Sequence, residues 1–379
     1  MIKSYKIRLY PTKEQETLMW KHIGCCRFVW NYMLTYQEER YEAGEKHLSA
    51  FDMIKHLTTI KKDGEHDWLY EVSNASLQTI CRDLGKAYDE FFKKTRGFPK
   101  FKSRKRSKPN FPIRNDCIYF VENMANITKI GKVKYKTDFD IPQGKSQKFS
   151  NPRISYVNGK WMLSFGMEYE NQVQVLSDKS MGIDLGVKDL AIVAFGEEQF
   201  VYHNINKSKK MRGIKKRIKH LQRSISRKYE HSKAKTGKYE KTNNTIRSEE
   251  KLRKLYARAK NIRTNYIHQA THELVSMLPN KVVMEDLNVS GMMKNKHLSK
   301  AIQEQCFYEF IQQMQYKCEW NCIKFIQVDR FYPSSKTCSA CGYIKKDLKL
   351  SDRTYVCPEC GAVIDRDYNA AINLMRYVA

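Results

Sequence analysis

Residues 338–374, CSACGYIKKDLKLSDRTYVCPECGAVIDRDYNAAINL, hold four cysteines as C-x2-C, fifteen intervening residues and C-x2-C, then run into an acidic, helix-forming stretch. Two residues between thiols let a tight turn aim both sulfurs at one tetrahedral ion, and two such knuckles close a zinc ribbon. Cys338, Cys341, Cys357 and Cys360 are therefore expected to hold one zinc. Four thiolates leave no coordination position open, so that zinc is structural and the chemistry is expected beside it. The competing reading, two disulfides, belongs to small secreted domains, whereas this chain shows no signal peptide and has room for a large core.

The charge narrows the partners. Lys and Arg outnumber Asp and Glu by 69 to 41, a formal +28 that needs a polyanion, and nucleic acid is the default. A membrane surface competes, but no apolar run approaches the roughly twenty residues of a spanning helix and no lipidation motif is present. The cysteines outside the ribbon (Cys25, Cys26, Cys81, Cys117, Cys306, Cys318 and Cys322) lack knuckle spacing and read as buried thiols of a reducing cytoplasm. A prokaryotic cytoplasmic protein, at the nucleoid when on DNA, is expected.

Taken in order, IKSYKIRLY (2–10) alternates as a half-buried strand with a basic outer face. Helical patterns follow over 13–43, 50–62 and 74–94, the last with Leu77, Cys81, Leu84, Tyr88 and Phe91 as its apolar stripe. Between Lys93 and Lys108, nine of sixteen residues are basic, with Phe98 and Phe101 among them. That composition suits a phosphate backbone and equally a solvated linker. Residues 111–170 read as short strands, with Asn158-Gly159 as a type I′ hairpin. Together with the first strand they suggest a small β-barrel split by a helical insertion.

From 182 the pattern changes. GIDLGVKDLAIVAF reads as two strands with Asp184 central in the first, and Gly182 and Gly186 leave room for close approach. Residues 207–228 contain eleven Lys or Arg and no acid, with an apolar stripe that a second segment repeats from Leu252 to Tyr266. The pair reads as a basic helical hairpin with a polar tip at 229–246. KVVMEDL (281–287) is a buried parallel strand ending in two acids. Successive strand residues face opposite ways, so Glu285 and Asp286 cannot share one site. Residues 303–322 read as helix and 324–333 as strand, and the last helix has Asp365 as cap and Asp367 in its first turn.

Asp184, Glu285 and Asp367 each lie among apolar residues on a different core element. Singly, each reads also as a cap or surface carboxylate. Jointly they offer hard oxygen ligands suited to two Mg²⁺ ions, with Mn²⁺ as substitute, and in a basic protein that points to a nuclease.

GIDLGVKDLAIVAFG, KVVMEDLNVSGMMKN, YPSSKTCSACG, VCPECG and DRDYNAAINL resemble the three RuvC motifs and the zinc ribbon of TnpB, the RNA-guided DNA nuclease family of insertion sequences related to type V CRISPR effectors. KSYKIRLYPTKEQ, GCCRFVWN, SNASLQTICRDLGKAYDEFF and GFPKFKSRKR extend the resemblance over nearly the whole chain. It implies an α+β multidomain protein: a split β-barrel wedge domain (1–12 and 109–178) with a helical recognition insertion (13–108), then an RNase H-like RuvC α/β nuclease domain (179–336 and 362–379, with the basic hairpin at 207–275) interrupted by the zinc ribbon (337–361). It also implies Asp184, Glu285 and Asp367 as catalytic and Mg-binding acids, a guide RNA, a DNA target in double- and single-stranded form, no membrane, and one protein chain per RNA.

Two other functions compete. A guided repressor that binds without cutting would lack one of the acids, all of which are present. A stand-alone RuvC-type nuclease such as a resolvase has no use for the recognition domain, the basic hairpin or the ribbon. A guided nuclease must read a short duplex motif before its RNA pairs. From spacing alone Asn74 and Gln78 read as two solvated amides near a helix start; the resemblance, in which the helix over 74–92 faces the motif, makes Gln78 the candidate reader, because its amide suits adenine, with Asn74 one turn earlier. Lys100, Lys102, Arg104, Lys215, Lys216, Arg217 and Arg223 are the candidate phosphate contacts.

Overall fold

The computed structural model of the protein describes residues 2–170, 174–349 and 352–378. Residues 1 and 379, at the limits of the expected domains, lie outside them, as do 171–173 of the expected wedge and 350–351 of the expected ribbon. The chain forms two compact units, Met1–Glu170 and Asn171–Ala379.

The first unit opens with β1 (Ile2–Tyr10), whose alternation buries Ile7 and Leu9. Pro11 stops it. Thr12 then caps α1 (Lys13–Glu42) in a reciprocal box: its hydroxyl accepts from the Gln15 N–H, and the Gln15 side chain accepts from the Thr12 N–H. After α2 (Ala50–Ile60) and α3 (Asn74–Phe92) come β2 (Asn110–Pro112), β3 (Ile118–Val121), β4 (Met124–Ile127), β5 (Gly131–Lys136), β6 (Ser150–Val157) and β7 (Lys160–Glu168). Asn158 and Gly159, with φ of 52° and 80°, make the I′ turn between β6 and β7. The sheet order is β2-β6-β7-β1-β5-β4-β3, so β1 lies at its centre. Among the described residues β2 and β3 are its unpaired edges. The expected barrel is therefore an open half-barrel. The helices lie on it and share its core, in which Met19, Leu34, Leu77 and Leu84 join Leu9, Phe111 and Leu163.

The second unit contains β8 (Ser180–Leu185), β9 (Asp189–Phe195), β10 (Glu198–His203), the long helices α4 (Lys209–Thr236) and α5 (Asn243–Ser276), and β11 (Lys281–Glu285). Then follow α6 (Val289–Met292), α7 (Ser299–Gln305), α8 (Phe307–Trp320), β12 (Lys324–Val328), β13 (Thr354–Val356), β14 (Val363–Asp365) and α9 (Arg366–Met375). The main sheet runs β10-β9-β8-β11-β12, with β8, β11 and β12 parallel and the β8–β9 and β9–β10 pairs antiparallel. Alternation divides its two faces. Met181, Ile183, Val193, Val282 and Met284 pack with α5 and α8 through Leu274, Phe310 and Met314, whereas Ile192, Ala194 and Val283 meet Ala371 and Leu374 of α9.

Three sequence expectations shift. The hairpin tip is not 229–246: α4 runs on to Thr236, where Gly237 at φ 72° ends it, and Thr242 already caps α5. The helix expected over 303–322 breaks at Cys306, which sits at φ 56° between α7 and α8. The strand expected over 324–333 ends at Val328, because the chain turns at Asp329, whose carboxylate accepts from the Phe331 N–H.

Candidate active site

Strand parity decides which acids meet. Gly182 lies on the α9 face of β8, and Asp184, two residues on, shares that face. On β11 the same face is taken by Val283 and therefore by Glu285. Helix α9 lies so close that a Cβ on Gly182 would stand 2.1 Å from the Ala371 carbonyl oxygen and 2.3 Å from the Met375 nitrogen. Only glycine admits that approach, which brings the first turn of α9, with Asp367, to the end of the strands. Asp365 starts the helix by accepting from the N–H groups of Asp367 and Tyr368.

Asp184 feels the charges of the other two acids. Asp184 keeps a small solvent-exposed edge in crowded surroundings. Desolvation first, then the charges of Glu285 and Asp367, raise its pKa well above the usual carboxylate range, against a smaller pull from Arg366. Burial also raises Glu285, partly offset by a hydrogen bond donated by the Ser334 hydroxyl. Arg366 holds Asp367 at 3.0 Å, with Arg353 at 3.9 Å. Asp286 lies apart, paired at 2.8 Å with Arg330 and about half exposed. Asp184, Glu285 and Asp367 thus converge, and Asp286 is turned away.

The cysteines are brought together by local turns. In each knuckle the first cysteine's N–H donates five residues ahead (Cys338 to Tyr343, Cys357 to Ala362), and its carbonyl accepts from Gly342 or Gly361, both at positive φ. The sulfurs of Cys338 and Cys360 are 3.7 Å apart and those of Cys341 and Cys357 3.6 Å. Sulfurs on a tetrahedron with metal–sulfur distances of about 2.3 Å would be about 3.8 Å apart, so the donor set fits zinc. Among the described residues these are the side chains whose ligand atoms all fall within 4.8 Å of one another; the carboxylates are less tightly gathered.

Buried amides join the two centres. The Asn373 amide donates to the carbonyls of Ser334 and Thr337, and Asn369 donates to Thr337, all at 2.7 Å. Asn369 also accepts from the Ser339 N–H at 2.9 Å. The helix bearing Asp367 therefore grips the segment that presents Ser334 to Glu285 and leads into Cys338. Sequence reading missed Ser334, Asn369 and Asn373, although two asparagines four apart on an apolar helix face are a visible signal of buried hydrogen bonding.

Three family descriptions match the chain: "Helix-turn-helix domain" over 1–46, "Probable transposase" over 164–296 and "Cas12f1-like, TNB domain" over 307–374. The first of these segments is here a strand and one long helix. A candidate RNA-guided DNA endonuclease, InsQ of Escherichia coli strain K12, is 30% identical over 99% of this chain and 92% of its own. The chain belongs to the TnpB family. Another candidate RNA-guided DNA endonuclease, from Streptomyces pristinaespiralis, is 29% identical over 98% of this chain and 88% of its own. A solved structure of CasPhi-2 (Cas12j) bound to crRNA matches with TM-score 0.51 at 10% identity, over 99% of this chain and 97% of that one, a likeness of fold.

The remaining candidate residues of this TnpB-family chain divide by their partners. Lys100, Arg104, Lys216, Arg217 and Arg223 are exposed. Lys215 is spent on Glu304 at 2.5 Å, and Lys102 is largely buried over the Trp30 ring. At the start of α3, Asn74 accepts from Lys61 at 3.1 Å, and the half-buried Gln78 accepts from Arg114 at 3.5 Å. No helix among the described residues is long and apolar enough to cross a membrane.

Proposed function

We propose that this chain is an RNA-guided DNA endonuclease that hydrolyses a phosphodiester of target DNA beside a short flanking motif, within a mobile element. The observation that carries this reading is the convergence of Asp184, Glu285 and Asp367 on one sheet face under α9. Burial, with the charges of Glu285 and Asp367, raises the pKa of Asp184, and burial raises that of Glu285, a cost that a core bears poorly unless cations bind there. They would hold two Mg²⁺ ions, or Mn²⁺, which when bound supply an activated water and stabilise the leaving oxygen. Ser334 orients Glu285 by its hydrogen bond, and Arg366 and Arg353 set Asp367. Attack of water on phosphorus forms one P–O bond while the bridging P–O bond breaks; the water gives up a proton and the departing oxygen gains one, leaving one strand end with a phosphate and the other with a hydroxyl.

In this reading the second unit is the RuvC nuclease with its inserted ribbon, and one zinc on Cys338, Cys341, Cys357 and Cys360 fixes the knuckle that α9 grips. The first unit is the wedge with its helical recognition insertion. Gln78, braced by Arg114, and Asn74 read the flanking motif in the major groove, and Arg104, Lys216, Arg217 and Arg223 meet phosphates. One chain binds one guide RNA and opens duplex DNA to pair it, in the cytoplasm of a prokaryote.

The test is cleavage of matched DNA by the complex purified with its own RNA, in Mg²⁺ and in EDTA. Cutting in Mg²⁺ alone supports the reading. RNA-dependent binding without cutting would make the protein a guided repressor.

A further inference from the structure

Within the first unit lies a cavity of about 450 Å³ that the cutting site does not use. Its walls include Trp20 and Arg27 of α1 and, from the basic segment, Lys102, Arg104 and Lys108, and among the described residues no acidic one lines it. The basic segment is docked on α1. The Trp30 indole N–H donates to the Lys100 carbonyl at 3.1 Å. The Asn31 amide meets the Lys102 backbone twice, accepting from its N–H at 2.7 Å and donating to its carbonyl at 2.9 Å. Beyond it, the Ser107 N–H donates to the Ser103 carbonyl at 2.9 Å, and the Ser107 hydroxyl accepts from the Ser103 N–H at 2.9 Å. These bonds give the cavity a built wall.

Lys102 is the unusual group. Its ammonium stands 3.4 Å from the centroid of the Trp30 ring, and burial lowers its pKa to about 8. The carboxylate whose charge reaches it, Asp83, is already gripped through both oxygens by Arg153 at 2.8 and 2.9 Å. Lys102 therefore has a desolvated charge and, among the described residues, no carboxylate of its own, a state that an incoming anion relieves. Beside it Trp20, 40% exposed and fixed edge-on by Tyr156 and Trp161, offers an aromatic surface.

We propose that this cavity seats one nucleotide of a bound nucleic acid, with its base against Trp20 and its phosphate on Lys102 and Arg104. The volume lies within the range of small-ligand sites, and the pairing of a cation cluster with an aromatic ring is the chemistry of a phosphate carrying a flat apolar body. The inference rests on the nucleic-acid reading above but not on the carboxylates.

Calorimetric titration of the RNA-free protein with adenosine 5′-monophosphate tests it, with adenosine and inorganic phosphate titrated in parallel. The nucleotide should saturate one site, and each half alone should bind at least about tenfold more weakly. Lys102→Ala and Trp20→Ala should each weaken it about tenfold, while Lys102→Arg retains most of the affinity. Arg104→Ala, on the exposed loop, should weaken binding without lowering the melting temperature. Repeating the titration on the complex with its copurified RNA, and again with target DNA, identifies the source. Loss of binding at the first step assigns an RNA nucleotide, and loss at the second a DNA nucleotide. Absence of saturable binding, equal binding by Lys102→Ala, or binding that persists through both steps would overturn the proposal. Because the readout is binding and not cleavage, its failure is distinct from failure of the nuclease reading.

Discussion

The ribbon and the carboxylate site lie within one unit but are assembled by opposite means. The four thiols come from two copies of one local turn within 23 residues, each closed by its own backbone bonds and a positive-φ glycine. The three acids come from β8, β11 and α9, across 184 residues of chain, and nothing local brings them together. Their meeting depends on strand parity, on Gly182 admitting α9, and on hydrogen bonds from Ser334 and Arg366. The ribbon is therefore a site whose metal stabilises its own fold, and the carboxylates form a site that the fold must hold against repulsion.

If that contrast is right, the largest effect follows from removing an acid. Asp184→Ala or Asp367→Ala should lower the cleavage rate by about 10³-fold or more while target binding, read by gel shift, stays within about twofold. Damage to the ribbon should act on both centres. Cys357→Ser should lose zinc by elemental analysis, and cleavage should fall about 10- to 100-fold because Asn369 and Asn373 no longer grip an ordered segment. Retained zinc, or full activity without it, would break the link between the two centres.

Smaller effects sharpen the comparison. Ser334→Ala should weaken the Mg²⁺ dependence of cleavage about tenfold, and Ser334→Thr should restore part of it. Asp184→Asn should raise the melting temperature in EDTA by a few degrees at neutral pH. The sign follows from the raised folded-state pKa of Asp184: stability is lost as pH rises from the unfolded carboxyl value through the folded one. The advantage of Asp184→Asn should therefore vanish below about pH 4 and grow above it. An equal advantage at all pH values would show that the buried charge of Asp184 is not its cause.

The same contrast explains what was legible in the sequence. The ribbon could be read from spacing alone, as could β1 from its alternation and the Asn158-Gly159 hairpin from its turn chemistry. The carboxylates could be nominated and grouped as candidate metal ligands from their positions among apolar residues, and the resemblance named the same three, but the reason that Glu285 and not Asp286 joins them, the strand face that α9 covers, is seen only in the structure. Helix α4 ran past the expected tip because YEHSKAKT has adequate helix propensity but no apolar stripe to reveal it. The break at Cys306 has no glycine or proline to announce it. Lys102 and Lys215 look like their exposed neighbours in sequence, since a string of charges does not show that Glu304 waits for one and Trp30 for the other. Ser334, Asn369 and Asn373 were hidden because their partners are backbone groups.

The most direct measurement compares Glu285→Gln with Asp286→Asn in the purified RNA complex, with cleavage and target binding followed in the same preparation. Neither substitution changes side-chain size appreciably, and the two positions are adjacent on opposite faces of the strand, Glu285 toward Ser334 and Asp286 toward Arg330. Glu285→Gln should bind target DNA without cutting it, whereas Asp286→Asn should cut at the wild-type rate. Full cutting by Glu285→Gln with loss in Asp286→Asn would contradict this assignment of faces.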